Sequence, residues 1–285
     1  SDTYAIGCCR SHAGLIPQTS FLGKAQKKRY PVVALVDGLP GLLCLTRCLE
    51  IAMPYRMDTR REQAVLDFLK HSGWMDGLFS DLTLQDVSFL AAGEYNENYL
   101  IREGSGPAGA FVFRINHGSQ LGLERQIEYE FQVLQSVAAS GRTPLPFHVE
   151  PKPGLGLGRG VMLMQYLPGR SLRYETDLEQ AAEVFAAVHS QPVTGPAQSL
   201  LVQADPVLDI AGESLGLLQR YPDHPREQER DLLLAYHDQV LGLARDHDGM
   251  FADEAMVITN TEVNSGNFIV HEAKAWLVDW EKAVV

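Results

Sequence analysis

The spacing of apolar residues divides this chain into recognisable elements. Ile127, Phe131, Leu134 and Val137 recur at intervals of three and four, which predicts an amphipathic helix over residues 126–137. Ala181, Ala182, Val184, Phe185 and Val188 predict a second helix over 179–188 that ends in His189, a residue read as structural. Two further helices are expected over 60–72 and, with a mostly polar surface, over 226–246. Other apolar runs lack the helical period. Residues 87–101 read as strand, turn and strand with Gly93 at the bend, and residues 109–116 as a single strand. Residues 160–169 read as a buried strand running into a tight turn after a Pro-rich connection. Near the end, residues 268–270 and 275–278 form a hairpin pattern closed by His271-Glu272-Ala273-Lys274.

The polar residues that interrupt these runs carry the candidate chemistry. Glu262 is followed five residues later by Asn267 and, after twelve more, by Asp279. The hairpin would return Asp279 to the side of Asn267. A carboxylate to orient a hydroxyl and two oxygen donors to hold magnesium are what a phosphoryl-transfer site needs. The plainer alternative is that Glu262 and Asp279 cap strand ends around an ordinary Asn264-Ser265-Gly266-Asn267 turn. Arg114 is the one cation in a strongly apolar strand, and charged side chains are rarely buried unpaired. It is either half of a buried pair or an edge-strand arginine facing water. Glu130 lies beside the apolar stripe of its helix and is the candidate partner, with Glu128 as competitor.

The run Asn260-Thr261-Glu262-Val263-Asn264-Ser265-Gly266-Asn267, followed by a hairpin and Val278-Asp279-Trp280-Glu281, resembles the aminoglycoside phosphotransferase and choline kinase family. The family loop usually reads His-Gly-Asp-Leu-His-Pro-Gly-Asn. The resemblance implies an α+β, protein-kinase-like fold with two lobes and an ATP-dependent transfer to a small-molecule hydroxyl. It covers about residues 87–283. It would make Glu262 the catalytic base, and Asn267 and Asp279 the Mg2+ ligands. The Gly93-Glu94-Tyr95-Asn96 bend would be the nucleotide loop, with Gly93 and Asn96 as its family residues. Arg114 would hold the phosphates, Glu130 would orient Arg114, and backbone groups of Gln165 and Leu167 would meet the adenine. Two departures bear on activity. Asn260 and Asn264 stand where the family has histidines, and Glu262 replaces the aspartate, adding a methylene of roughly 1.5 Å reach. A displacement of about 1 Å can cost on the order of a hundredfold in rate. A catalytically weak or inactive nucleotide-binding pseudokinase is therefore the alternative.

Composition narrows the partners. The 285 residues carry a net charge of −12, with no basic stripe, so nucleic acid is not expected as a partner. A cationic acceptor is compatible with that charge. The first 56 residues are unlike the rest. They hold all four cysteines (Cys8, Cys9, Cys44 and Cys48) and seven basic against three acidic residues, +4 against −16 for the remainder. They read as a non-homologous extension before a small lobe over 57–165 and a large lobe over 166–285. The cysteine spacing is poor for zinc, and free thiols fit a reducing cytoplasm. The uncharged stretch within residues 30–53 is too short to span a membrane. The family usually continues past Asp-Trp-Glu with more helices, so a chain stopping at Val285 is expected to lack part of the large lobe. The Gly154-Leu155-Gly156-Leu157-Gly158-Arg159-Gly160 run follows prolines and opens a strand, the reverse of a dinucleotide fingerprint, and reads as a hairpin loop. His237, Asp238, Asp246, His247 and Asp248 lack tight ligand spacing and read as a solvated helix face.

Overall fold

The computed structural model describes residues 59–104, 109–220, 222, 225–247 and 249–285. The expectations for residues 1–56, including the cysteines, lie outside the described residues. Among the described residues the first helix, α1 (Thr59–Ser72), leads into a five-stranded antiparallel sheet made of β1 (Val87–Ala92), β2 (Asn96–Arg102), β3 (Ala110–Asn116), β4 (Pro146–Glu150) and β5 (Gly160–Gln165). The strand order is β1-β2-β3-β5-β4. Helix α2 (Gln126–Val137) connects β3 to β4, at the bounds that the apolar period predicts. β4 lies within the Pro-rich connection. Proline is tolerated there because β4 is an edge strand with a register shift between Pro146 and His148.

Strand alternation sorts the sheet's side chains onto two faces. Phe111, Phe113 and Ile115 of β3, with Val161 and Leu163 of β5, pack against Val65, Leu66, Phe68 and Leu69 of α1. Val112, Met162 and Met164 point the other way and join Ile127, Val133, Leu134 and Val137 of α2. Arg114 shares the parity of Val112, so the pleat aims it at α2. That second core continues into α3 (Leu178–His189) and the C-terminal hairpin, through Val184, Val188, Phe268, Val270, Leu277 and Trp280.

The C-terminal half holds α3, α4 (Pro206–Gln219) and α5 (Glu227–Asp246). α4 starts on Asp205, whose carboxylate accepts from the N–H groups of Val207 and Leu208, with Pro206 at the first helical position. The short β6 (Arg170–Ser171) pairs with β8 (Phe268–His271), which pairs with β9 (Lys274–Leu277). The pairing runs out to His271 and Lys274, leaving a tighter turn than expected, with Glu272 at φ 54°. β7 (Thr259–Asn260) pairs with β10 (Ala283–Val284). No helix among the described residues is long and apolar enough to cross a membrane.

The glycine run joins β4 to β5 as expected, and hydrogen bonds pin it down: Arg159 N–H donates to the Asn116 carbonyl at 2.7 Å and Arg61 Nη1 to the Gly156 carbonyl at 2.6 Å. Gly156 and Gly158 both take left-handed φ, but only Gly158 is crowded. A Cβ there would lie 2.4 Å from the Asn116 carbonyl oxygen, whereas one at Gly156 would meet nothing. Gly156→Ala is expected to cost about 1 kcal/mol from backbone strain. Gly158→Ala adds the clash and should cost about 2–4 kcal/mol. Urea denaturation of the two variants checks this, and equal midpoints would contradict it.

Candidate active site

β3 is central in the sheet, so Arg114 is not an edge arginine, and it is only 6% exposed. Its Nη1 donates to Glu130 Oε1 at 2.5 Å and to Asp279 Oδ1 at 3.1 Å, and its Nε donates to Asn98 Oδ1 at 3.0 Å. Asn98 is its cross-strand partner on β2. Among the described residues nothing bonds Nη2. Glu130, one helical turn from Ile127 and Leu134 on the buried face of α2, is 1% exposed, and its Oε2 has no hydrogen-bond partner. Glu128 instead is partly buried and pairs with Arg125, away from Arg114. Burial pushes the Glu130 carboxyl up, and the Asp279 charge adds to this, against the pull of Arg114. For Arg114, burial alone would favour the neutral form, but Glu130 and Asp279 outweigh it and hold the guanidinium charged.

Asp279 reaches this pair because the hairpin returns the chain to it. Its backbone is left-handed, φ 63°, which Asp tolerates better than most residues. Asn260 holds that backbone: its Nδ2 donates to the Asp279 carbonyl at 2.8 Å while its Oδ1 accepts from Glu262 N–H at 2.9 Å. This buried amide therefore ties the Glu262 loop to the Asp279 segment. Asn264 caps the Ser265–Asn267 turn by accepting from Gly266 N–H at 2.8 Å. Asn267 Nδ2 donates to the Glu262 carbonyl at 2.7 Å, and Val278 N–H donates to the Asn267 carbonyl at 2.8 Å. The side chain of Asn267 thus presents Oδ1 on the side away from that carbonyl.

Glu262, Asp279 and Glu281 each bring a carboxylate oxygen within 4.8 Å of the others, the sole candidate metal-holding group among the described residues. His237, by contrast, is buried with Nε2 3.0 Å from the Ala211 carbonyl. Glu281 has no part in the sequence-based site. Strand alternation does not reach it, because Asp279 is left-handed and residues 281–282 form a turn; its signal is only a second carboxylate two residues after Asp279, with an apolar Trp280 between. Trp280 is indeed buried, its Nε1 donating to the Leu277 carbonyl at 2.9 Å. Burial, then the neighbouring Asp279 charge, raises the Glu281 carboxyl.

The β1–β2 turn reaches the same place. Gly93 N–H donates to the Asn96 carbonyl at 2.9 Å, and a Cβ on Gly93 would meet nothing within 4 Å. Asn96 turns its side chain inward: Nδ2 donates to Glu281 Oε2 at 2.5 Å and Oδ1 accepts from Asn116 Nδ2 at 3.0 Å. Gln165 and Leu167 stand apart from the charged cluster. Gln165 pairs with Phe111, three register steps or about 10 Å along the sheet from Arg114. Its N–H donates to the Leu145 carbonyl at 2.8 Å. Arg114, Glu130, Glu262, Asn267, Asp279 and Asn96 are thus linked through hydrogen bonds and the carboxylate cluster, while Gly93 is linked through the turn alone.

The phosphotransferase enzyme family matches residues 86–285. No curated protein matches the sequence. Among solved structures, the GDP and kanamycin complex of APH(2")-IIia is 17% identical, with a TM-score of 0.51 over 76% of this chain and 73% of that one. A choline/ethanolamine kinase family protein from Mesorhizobium loti is 18% identical, TM-score 0.50, over 79% and 66%. A putative aminoglycoside phosphotransferase from Ralstonia eutropha JMP134 is 15% identical, TM-score 0.51, over 80% and 66%. These likenesses show the fold, the kinase-like α+β arrangement expected from the sequence.

Proposed function

The chain belongs to the phosphotransferase enzyme family, and we propose that it transfers the γ-phosphoryl group of ATP to a hydroxyl of a small molecule. The observation that carries this reading is the 3.1 Å contact between Arg114 and Asp279, which joins the sheet's buried cation to the acidic end of the hairpin. In the proposed division into a small lobe over 57–165 and a large lobe over 166–285, this contact falls where the lobes meet.

The donor set fits magnesium. Asp279 and Glu281 of the carboxylate cluster, with Asn267 assigned beside them by the family resemblance, offer oxygen, the donor a hard divalent cation takes. Arg114 and Lys282 leave an excess of two negative charges against Glu130, Glu262, Asp279 and Glu281, which suits a dication. Magnesium, when bound, neutralises charge on the transferring phosphate. Arg114 offers its unbonded Nη2 to the phosphates, with Glu130 fixing its plane. Gly93 keeps the turn backbone clear for phosphate, since nothing in the protein itself requires a glycine there. The adenine contact is assigned to the backbone of Gln165 and Leu167, excluding Gln165 N–H, which is already donated. Glu262 orients the acceptor hydroxyl and takes its proton as the new oxygen–phosphorus bond forms.

One solved relative is a complex with GDP and kanamycin. By likeness we assign a small-molecule acceptor here, and the acidic surface favours a cationic one. The proposed setting is the cytoplasm, where ATP is supplied.

Thermal melting tests the reading. Mg-ATP at about 100 times its Kd should stabilise the fold by roughly 2.7 kcal/mol, and EDTA should remove most of the shift. Transfer from labelled ATP to a panel of amino-alcohol, sugar and aminoglycoside acceptors should follow. A cooperative melt indifferent to Mg-ATP sinks the proposal. A shift without transfer to any acceptor points to the second reading, a nucleotide-binding protein without turnover. That reading is favoured by Glu262 itself, which is one methylene longer than the aspartate the family carries at that position.

A further inference from the structure

Lys282 follows the Asp279-Trp280-Glu281 run and enters the site described above only as a charge. Its place is set by backbone. The β7–β10 ladder pairs Asn260 with Ala283, so one further step along the register sets Thr261 opposite Lys282. Thr261 Oγ1 donates to the Lys282 carbonyl at 2.8 Å, closing that step. The side chain, 20% exposed, then crosses to Glu262 and brings Nζ within 3.3 Å of Oε2.

This pairing matters because Glu262 has two possible roles. Its carboxylate lies within 4.8 Å of both Asp279 and Glu281. The extra methylene of glutamate, roughly 1.5 Å of reach, lets it join them on a bound cation. A Glu262 drawn into the acidic pair would serve as a third ligand for the cation and would be lost to the acceptor hydroxyl. Asn260 fixes only the Glu262 backbone, through the N–H. Among the described residues Lys282 is the cation on the Glu262 carboxylate.

We infer that Lys282 is a positioning residue that competes with a bound cation for Glu262, which stands within reach of the metal-binding carboxylates, and so reserves it for the acceptor hydroxyl. The inference rests on the phosphotransfer reading of the site. The energy of a half-exposed ion pair is small, so its effect on stability is slight. Its effect on the partition of Glu262 between two roles is the larger one.

The test is Lys282→Met, with Lys282→Arg as the conservative control, each in the wild-type and Glu262→Gln backgrounds. Two quantities are read: kcat for transfer, and Mn2+ or Mg2+ affinity by calorimetry without nucleotide. Lys282→Met should lower kcat by about 10- to 100-fold with the acceptor KM little changed, the scale of a misplaced catalytic group. It should also tighten cation binding by about three- to tenfold, because a like charge is removed and a carboxylate is freed. Lys282→Arg should restore both. In the Glu262→Gln background, Lys282→Met should leave kcat within about twofold and should tighten cation binding less than it does in the wild type, since only the like-charge part of the effect remains. Unchanged kcat and affinity in Lys282→Met, or losses that multiply in the double variant, would overturn the inference. If the wild type transfers no phosphate to any acceptor, the phosphotransfer reading fails separately. The cation titration then still decides whether Lys282 competes with the cation for Glu262.

Discussion

Replacing Asp279 is expected to abolish phosphoryl transfer, by at least about a thousandfold, the scale seen when a preorganised group that stabilises transition-state charge is removed. Asp279 is where three demands meet. It accepts from Arg114, it belongs to the acidic group that would hold magnesium, and its carbonyl anchors Asn260. Asp279→Ala removes the first two while adding strain, since alanine is disfavoured at φ 63°. Asp279→Asn is the cleaner variant, for asparagine tolerates that backbone and keeps an acceptor oxygen for Arg114. It should fold with nearly wild-type stability, lose transfer, and lose the magnesium-dependent part of the Mg-ATP melting shift. Activity within tenfold of wild type in Asp279→Asn would refute the metal assignment.

Glu130→Ala is expected to destabilise the fold by about 3 kcal/mol, near the low end for breaking a buried ion pair. The low end applies because Asp279 still pairs with Arg114. The converse change, Arg114→Met, leaves Glu130 without its cation. That carboxyl is already raised by burial, and it escapes by holding its proton. A carboxyl whose folded pKa lies above its unfolded value adds stability at low pH and loses it as pH rises. The Arg114→Met variant should therefore weaken steadily from about pH 5 to about pH 8, relative to wild type. The double replacement Arg114→Met, Glu130→Leu fills the same space with apolar groups and should recover most of the stability, as apolar substitutes for buried pairs often do. It should recover none of the Mg-ATP shift. A double variant that is both stable and nucleotide-responsive would show that the pair serves the core and not the phosphates. Urea denaturation across pH, followed by melting with nucleotide, separates the two.

Much of this arrangement was legible along the chain, and the reason is local. α2 follows from the three-and-four spacing of Ile127, Phe131, Leu134 and Val137, because a helix buries one stripe whatever it packs on. β3 and the β8–β9 hairpin follow from apolar runs that have no helical period. Arg114 stood out since a cation inside such a run needs a partner, and Glu130 could be matched to it because it borders the buried stripe of α2. Asp279 and Asn267 could be brought together by a hairpin alone.

The remainder depended on contacts between distant segments. β4 hid among prolines, which a central strand excludes but an edge strand accepts. Its edge place is known only once the strand order is. α4 was missed because Gly212 and Gly216 interrupt it, and glycine in a helix interior argues against a helix despite the apolar period of Val207, Ala211, Leu215 and Leu218. Asn96 looked like a turn residue facing a nucleotide, but its amide spans 185 residues of sequence to meet Glu281. Glu281 and Asn260 gain meaning only when the β7–β10 ladder and the hairpin converge, as does the contact of Lys282 with Glu262. Period and composition say which side chains will be buried or turned outward. Which polar groups then face one another is decided by how the elements pack, because a buried polar group must find its partner wherever the fold has brought one.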